Sequence, residues 1–151
     1  MKIDNTDRDI LRVLKENSKL SYRGIAKKLL MPTTTVHHRV RKLENEGIIK
    51  GYSVVIDNEK LGNIICAYIL LKVDYLLLNK GDLTQKGLAA KIKQRSDVED
   101  VAMVTGGVDI ILKIRTTGVD MLNKLITEDL RKIEGVSSTE TLLVLDELDK
   151  F

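Results

Sequence analysis

Residues Ser21 to Ile49, SYRGIAKKLLMPTTTVHHRVRKLENEGII, constrain this chain more than any other stretch, because they spell two short helices joined by a tight turn. Ser21 has the side chain of an N-cap, and Ile25, Ala26 and Leu29 recur on one face of a first helix. Pro32 and Thr33 stand where a second helix begins, which runs to about Glu46 before Gly47 stops it. Inside that second helix Val36, Val40 and Leu43 fall at i, i+4 and i+7, so one stripe packs inward and the opposite stripe faces out. The outward stripe is Thr34, His38, Arg41 and Asn45; Arg39 and Lys42 flank it, and Thr33, Thr35 and His37 crowd its N-terminal end. All are donors or small polar groups able to reach phosphates and base edges in a major groove. Any solvated helix needs a polar face, so the stripe alone does not decide the matter. The helix and turn before it do, and they point to double-stranded DNA as the partner.

The motif has recognisable neighbours. Asp4-x-x-Asp7-x-x-Ile10-Leu11 opens the chain, and Arg39-Val40-x-x-Leu43-Glu44-x-x-Gly47-Ile48-Ile49 closes the helix pair. With Ser21 to Leu29 between them, these residues resemble the leucine-responsive regulatory protein and asparagine-synthesis regulator family, Lrp/AsnC, also called feast/famine regulators. The turn in such proteins commonly carries glycine where this chain has Leu30, and Pro32 takes the usual serine cap position.

Charge divides the chain. Residues 1–50 hold 12 Lys or Arg against 6 Asp or Glu, net +6, while the other 101 residues hold 13 against 16, net −3. Phosphate binding therefore belongs to the first third. The 151 residues suffice for two small domains, and 43% hydrophobic content allows each a core. No apolar run approaches a membrane span and no signal segment opens the chain, so a soluble, cytoplasmic protein without a membrane partner is expected. Cys66, the single cysteine, sits in an apolar strand and reads as a packing residue. His37 and His38 adjoin on a helix and point about 100° apart, which makes no metal site. Neither a metal nor a cofactor is expected.

In chain order, a first helix starts near Asp4 or Asn5 and ends by Asn17, its Ile10, Leu11, Val13 and Leu14 covering the other two. Lys50 to Asp57, KGYSVVID, reads as a connecting strand or hinge, and the resemblance implies a linker strand there. From Ile64 the period changes: strands are expected over Ile64–Asp74, Val98–Thr105, Val108–Arg115 and Val136–Leu145, and helices over Leu83–Arg95 and Val119–Ile133. The order βαββαβ is the ferredoxin-like arrangement, with Gly106-Gly107 as a two-residue hairpin turn and Gly135 stopping the last helix. The fold class is α+β: a winged-helix-like helix-turn-helix domain over 1–50, a linker strand or hinge over 51–62, and a ferredoxin-like domain over 63–151.

Both faces of the first strand are apolar, Ala67, Ile69, Leu71 and Val73 on one and Cys66, Tyr68 and Leu70 on the other. Helices cover one face only, so the second is expected to meet another copy of the chain, with Leu70 and Leu143 in that contact. A homodimer results, and the resemblance implies higher forms, a tetramer or octamer. A two-fold dimer suits a pseudo-palindromic DNA site with half-sites about one helical turn apart.

Thr105-Gly106-x-x-Asp109 with Ile111-Leu112, and Gly135-Val136-x-x-Thr139-x-Thr141, resemble the effector-binding domain of the same family. Gly106 and Gly107 permit close backbone approach, Asp109 could receive a ligand's ammonium, and Thr105, Ser137 and Thr139 could lie nearby. An amino acid or a related small molecule fits that set; the alternative is a plain turn with Asp109 as a capping carboxylate. The Tyr75–Gly87 connection also looks longer than usual. The reading is a DNA-binding transcriptional regulator, not an enzyme. Siroheme decarboxylases share the two-domain outline, but this chain has no Trp, a single Phe at its end, and both His on the recognition helix, a poor set for a tetrapyrrole pocket. A regulatory partner protein that binds no DNA is the third possibility.

Overall fold

The computed structural model describes residues 3–80 and 83–147, and the chain divides into a unit of residues 1–56 and one of residues 57–151. The first unit is three helices, α1 (Asn5–Glu16), α2 (Tyr22–Leu29) and α3 (Thr33–Asn45). A reciprocal box starts α1: the Asp4 carboxylate accepts the Asp7 N–H at 2.9 Å, and the Asp7 carboxylate accepts the Asp4 N–H at 3.1 Å. Ser21 Oγ accepts the Gly24 N–H at 3.2 Å to start α2. The turn after α2 passes through Leu30 at φ 52°, ψ 44°, a left-handed conformation unfavourable for leucine by about 1–2 kcal/mol. Ile10, Val13 and Leu14 of α1, Ile25 and Ala26 of α2, and Val36, Val40 and Leu43 of α3 close the core. Burying each large aliphatic side chain among them contributes about 1.5–3 kcal/mol.

Residues 51–57 join no strand of the sheet, and Tyr52, Val54 and Val55 lie exposed. Their β-favouring composition produces a ladder only opposite another strand, and the chain offers none there.

The second unit is one antiparallel sheet of β1 (Ile65–Val73), β2 (Val98–Met103), β3 (Ile110–Thr116) and β4 (Val136–Leu143) in the order β2-β3-β1-β4, the ferredoxin-like topology expected from the sequence. Between β1 and β2 stand α4 (Tyr75–Lys80) and α5 (Gln85–Lys93), and α6 (Val119–Lys124) follows β3. Ala67, Ile69, Leu71, Ile110, Leu112 and Ile114 pack under Leu88, Ile92, Leu122, Leu125 and Leu130 from the helical side.

Four details depart from the sequence reading. The helix expected over Val119–Ile133 changes its winding after Lys124, to a π turn over Leu125–Asp129 and a 3-10 turn over Leu130–Lys132. Leu125 and Leu130, five residues apart, would point apart on a regular α-helix, and the widened turn lets both enter the core. The β2–β3 hairpin is wider than Gly106-Gly107 alone: the strands stop at Met103 and resume at Ile110, with the Val104 N–H donating to the Asp109 carbonyl at 3.0 Å. Asp109 is drawn towards β1 instead, its own N–H donating to the Leu71 carbonyl at 2.9 Å.

The extra helix α4 was not foreseen. Asp74 caps it, its Oδ1 accepting the N–H groups of Leu76 and Leu77 at 2.9 and 3.1 Å. Leu78 then presses on Gly135, whose φ is +91° and where a Cβ would lie 2.3 Å from Leu78 Cδ2. Lastly, the register assigns the apolar faces differently. Leu143 pairs with Ala67 and so lies on the helix side, whereas Leu142 pairs with Tyr68 and shares the outer face with it and Leu70. The expected partner of Leu70 in a sheet contact is therefore Leu142, because one residue's shift exchanges the faces. Beside that patch Lys113 and Arg115 form ion pairs with Glu99 and Glu147, and the two cations hold the Glu147 carboxyl at about 2.

Candidate nucleic-acid interface and effector loop

The packed stripe of α3 fixes what its other side presents. With Val36, Val40 and Leu43 wholly buried, Thr33, Thr34, His37, His38, Arg41, Lys42 and Asn45 are exposed and Thr35 is half-buried. Pro32 begins the helix and makes no side-chain cap hydrogen bond to the first-turn N–H groups, which point out of the helix start. The ring of His37 meets Tyr22 of α2 edge-on, centroids 5.0 Å apart. Tyr52 donates to Glu44 Oε1 at 2.7 Å near the far end of α3, and although the residue is half exposed, partial desolvation of its hydroxyl together with that carboxylate pushes the phenol up to about 12.

Arg39 stands apart from the other residues expected at the DNA face. Its Nη1 donates to Asp4 at 2.5 Å and to Asp7 at 3.1 Å, and Asp7 is fully buried. The guanidinium thus neutralises a buried carboxylate and ties α3 to the start of α1. It raises no free charge beside Arg41 and Lys42. The Asp7 backbone N–H, and then Arg39, hold the Asp4 carboxyl below the usual range. This three-residue junction escaped the sequence reading, although the Asp4-x-x-Asp7 spacing was its trace.

In the second unit the loop residues Thr105, Gly106, Gly107 and Asp109 flank one side of the C-terminal end of β1, and Ser137 and Thr139 of β4 flank the other. The single chain does not bring all six together. Ser137 and Thr139 line an open cleft of about 420 Å³ with Arg131, Val136 and Ser138, and Arg131 Nε donates to Thr139 Oγ1 at 3.0 Å. Thr105, Gly106 and Gly107 are exposed, with Gly106 at φ +124°. Asp109 is half-buried and engaged: Oδ2 accepts the Val73 N–H at 2.8 Å, Oδ1 accepts the Tyr75 hydroxyl at 2.8 Å, and the Gln85 amide donates to its carbonyl at 2.9 Å. The Asp109 contact raises the Tyr75 phenol above its ordinary range. Tyr75, Gln85 and Arg131 are polar neighbours of this region that pattern reading passed over, since none lies in a periodic or motif position. Among the described residues no cluster of His, Cys, Asp or Glu could hold a metal, and no helix is long and apolar enough to cross a membrane.

Residues 3–50 match the family of winged helix-turn-helix DNA-binding domains, and residues 76–150 match the Lrp/AsnC ligand binding domain. The chain is 36% identical over 141 residues to an uncharacterized HTH-type transcriptional regulator of Pyrococcus furiosus, covering 93% of this chain and 91% of that protein. It is 32% identical over 141 residues to the regulatory protein AsnC of Haemophilus influenzae, covering 93% and 90%. Among solved structures, a transcriptional regulator of Neisseria meningitidis in complex with L-Met shares the fold with a TM-score of 0.87 over 98% of this chain and 93% of that one, at 23% identity.

Proposed function

This chain belongs to the Lrp/AsnC family of DNA-binding transcriptional regulators, and from there we propose that α3 reads a pseudo-palindromic duplex site while the C-terminal domain assembles the protein and senses an amino acid. The observation that carries the reading is the two-sidedness of α3. Val36, Val40 and Leu43 are spent on the core, and the residues left over are hydroxyls, imidazoles and cations of the kind that contact phosphates and base edges. In this reading Arg41, His38 and Thr34 address bases, Thr33, Thr35, His37 and Lys42 position the backbone, and Arg39 braces the helix from behind.

The division of labour follows the sequence reading: residues 1–50 bind DNA, 51–62 connect, and 63–151 assemble and sense. Tyr68, Leu70 and Leu142 on the outer sheet face supply the homodimer contact, with a tetramer or octamer as the higher form. The effector reading draws on the L-Met bound by the Neisseria regulator and on the loop Thr105–Asp109 and the Ser137–Thr139 segment of β4, which flank the same end of β1 from opposite sides. Its ammonium would meet Asp109. The protein acts in the cytoplasm, as a regulator and not as a catalyst.

A mobility-shift titration on the duplex upstream of the protein's own coding sequence, followed by footprinting, tests this reading. The expected result is a shift that weakens steeply with salt and a footprint of two protected half-sites about one helical turn apart. Binding indifferent to sequence and to salt would remove α3 from the role.

A further inference from the structure

The carboxylate proposed to receive the effector is already engaged within the chain. Tyr75, the first residue of α4, donates its hydroxyl to Asp109 Oδ1 at 2.8 Å, and the other carboxylate oxygen accepts the Val73 N–H at 2.8 Å. A ligand ammonium aimed at Asp109 therefore meets a carboxylate with both oxygens engaged, one by the backbone of β1 and one by a side chain. The backbone contact belongs to the sheet end and stays. The phenol is the part that can leave, since Tyr75 is half exposed and turns about its own side-chain bonds.

The helix carrying it is fixed. Asp74 caps α4, the Asp74 N–H donates to the Gly135 carbonyl at 2.9 Å, and Leu78, 2% exposed, sits against Gly135 where even a Cβ would not fit. Motion is thus confined to the tyrosine ring. A second acceptor waits for it: Gln85 Oε1 lies 3.4 Å from the Tyr75 oxygen, and the Gln85 amide is itself pinned to the Asp109 carbonyl. One phenol has one proton, and the carboxylate, the stronger and nearer acceptor, holds it.

We infer that Tyr75 is a self-inhibiting gate on the effector site, its hydroxyl held by Asp109 until a ligand ammonium displaces it towards Gln85. The inference rests on the proposal that Asp109 receives the effector. Because the closed form must open first, the affinity of the native chain for any ligand is that of the bare site multiplied by the open fraction.

Calorimetric titration of the twenty amino acids, each against the full-length native protein, Tyr75→Phe and Asp109→Asn, tests it. The amino acid that binds the native protein should bind Tyr75→Phe about fivefold more tightly, the worth of one net hydrogen bond of ~1 kcal/mol, and Asp109→Asn far more weakly. Binding lost in Asp109→Asn but unchanged or weaker in Tyr75→Phe overturns the gate and leaves the effector site standing. Binding to none of the three proteins, or binding indifferent to Asp109, overturns both.

Discussion

The outward side of α3 and the outer face of the sheet are both surfaces that one chain leaves open, and their chemistry is opposite. The helix presents Thr34, His38, Arg41 and Lys42, groups that water satisfies as well as a partner does. The sheet presents Tyr68, Leu70 and Leu142, with Tyr68 38% and Leu142 47% exposed. Such apolar area disfavours the uncovered state by about 25 cal/mol for each Å². A polar surface can meet its partner transiently, under the control of ionic strength, whereas an apolar one is best covered for good. Under the proposed function the two regions thus divide reversible recognition from permanent assembly.

The largest expected effect tests the apolar side. Leu70→Lys combined with Leu142→Lys should cost the assembly about 3–6 kcal/mol, the loss of two buried leucines, and give monomers by light scattering while circular dichroism stays native. An undiminished oligomer would move the contact elsewhere and erase the contrast. Next comes the junction behind the polar side. Asp7→Ala should destabilise the helical unit by about 2–3 kcal/mol in a urea melt, since it strands the Asp4 N–H and removes the buried partner of Arg39. No loss of stability there would mean that the Arg39 pairing contributes nothing to the bundle.

Arg41→Ala should lower specific DNA affinity about ten- to a hundredfold with folding unchanged, and His38→Ala less. In a gel-shift series, equal affinity at moderate salt would sink the assignment of this face. The smallest effect is a gain. Leu30→Gly should raise the stability of the helical unit by about 0.5–1 kcal/mol, because glycine is at ease at φ 52° and a leucine 93% exposed gives up little packing. A lowered melting temperature would show that the leucine has a contact the strain argument omits.

Much of this molecule could be read from spacing alone. The three helices and the βαββαβ order follow periods of 3.6 and 2, and Ser21, Gly47 and Gly135 punctuate where a cap or a positive φ was needed. What spacing could not give are contacts distant in sequence. Arg39 read as one more cation on the DNA face, and its carboxylate partners, 32 and 35 residues earlier, could not be seen from spacing. The alternation in β4 showed two apolar faces, but only pairing with β1 told Leu142 from Leu143. YLLLN carries no period, and α4 exists because Asp74 caps it and Gly135 leaves room for Leu78. The residues proposed for the effector come from motif, and motif carries nothing of their neighbours, so the hold of Tyr75 on Asp109 was invisible.

The proline that opens α3 has one more consequence. A serine at position 32 would turn its own oxygen back onto the first-turn amides and answer them internally. Pro32 cannot, and it makes no side-chain bond to the N–H groups at the head of α3. The helix thus forgoes a small stabilisation of its own, and in the proposed complex a DNA phosphate would supply the acceptor that Pro32 lacks, so that stabilisation would come only on the duplex. Restoring the cap would make a firmer bundle whose own hydroxyl would compete with the proposed phosphate for the same amides.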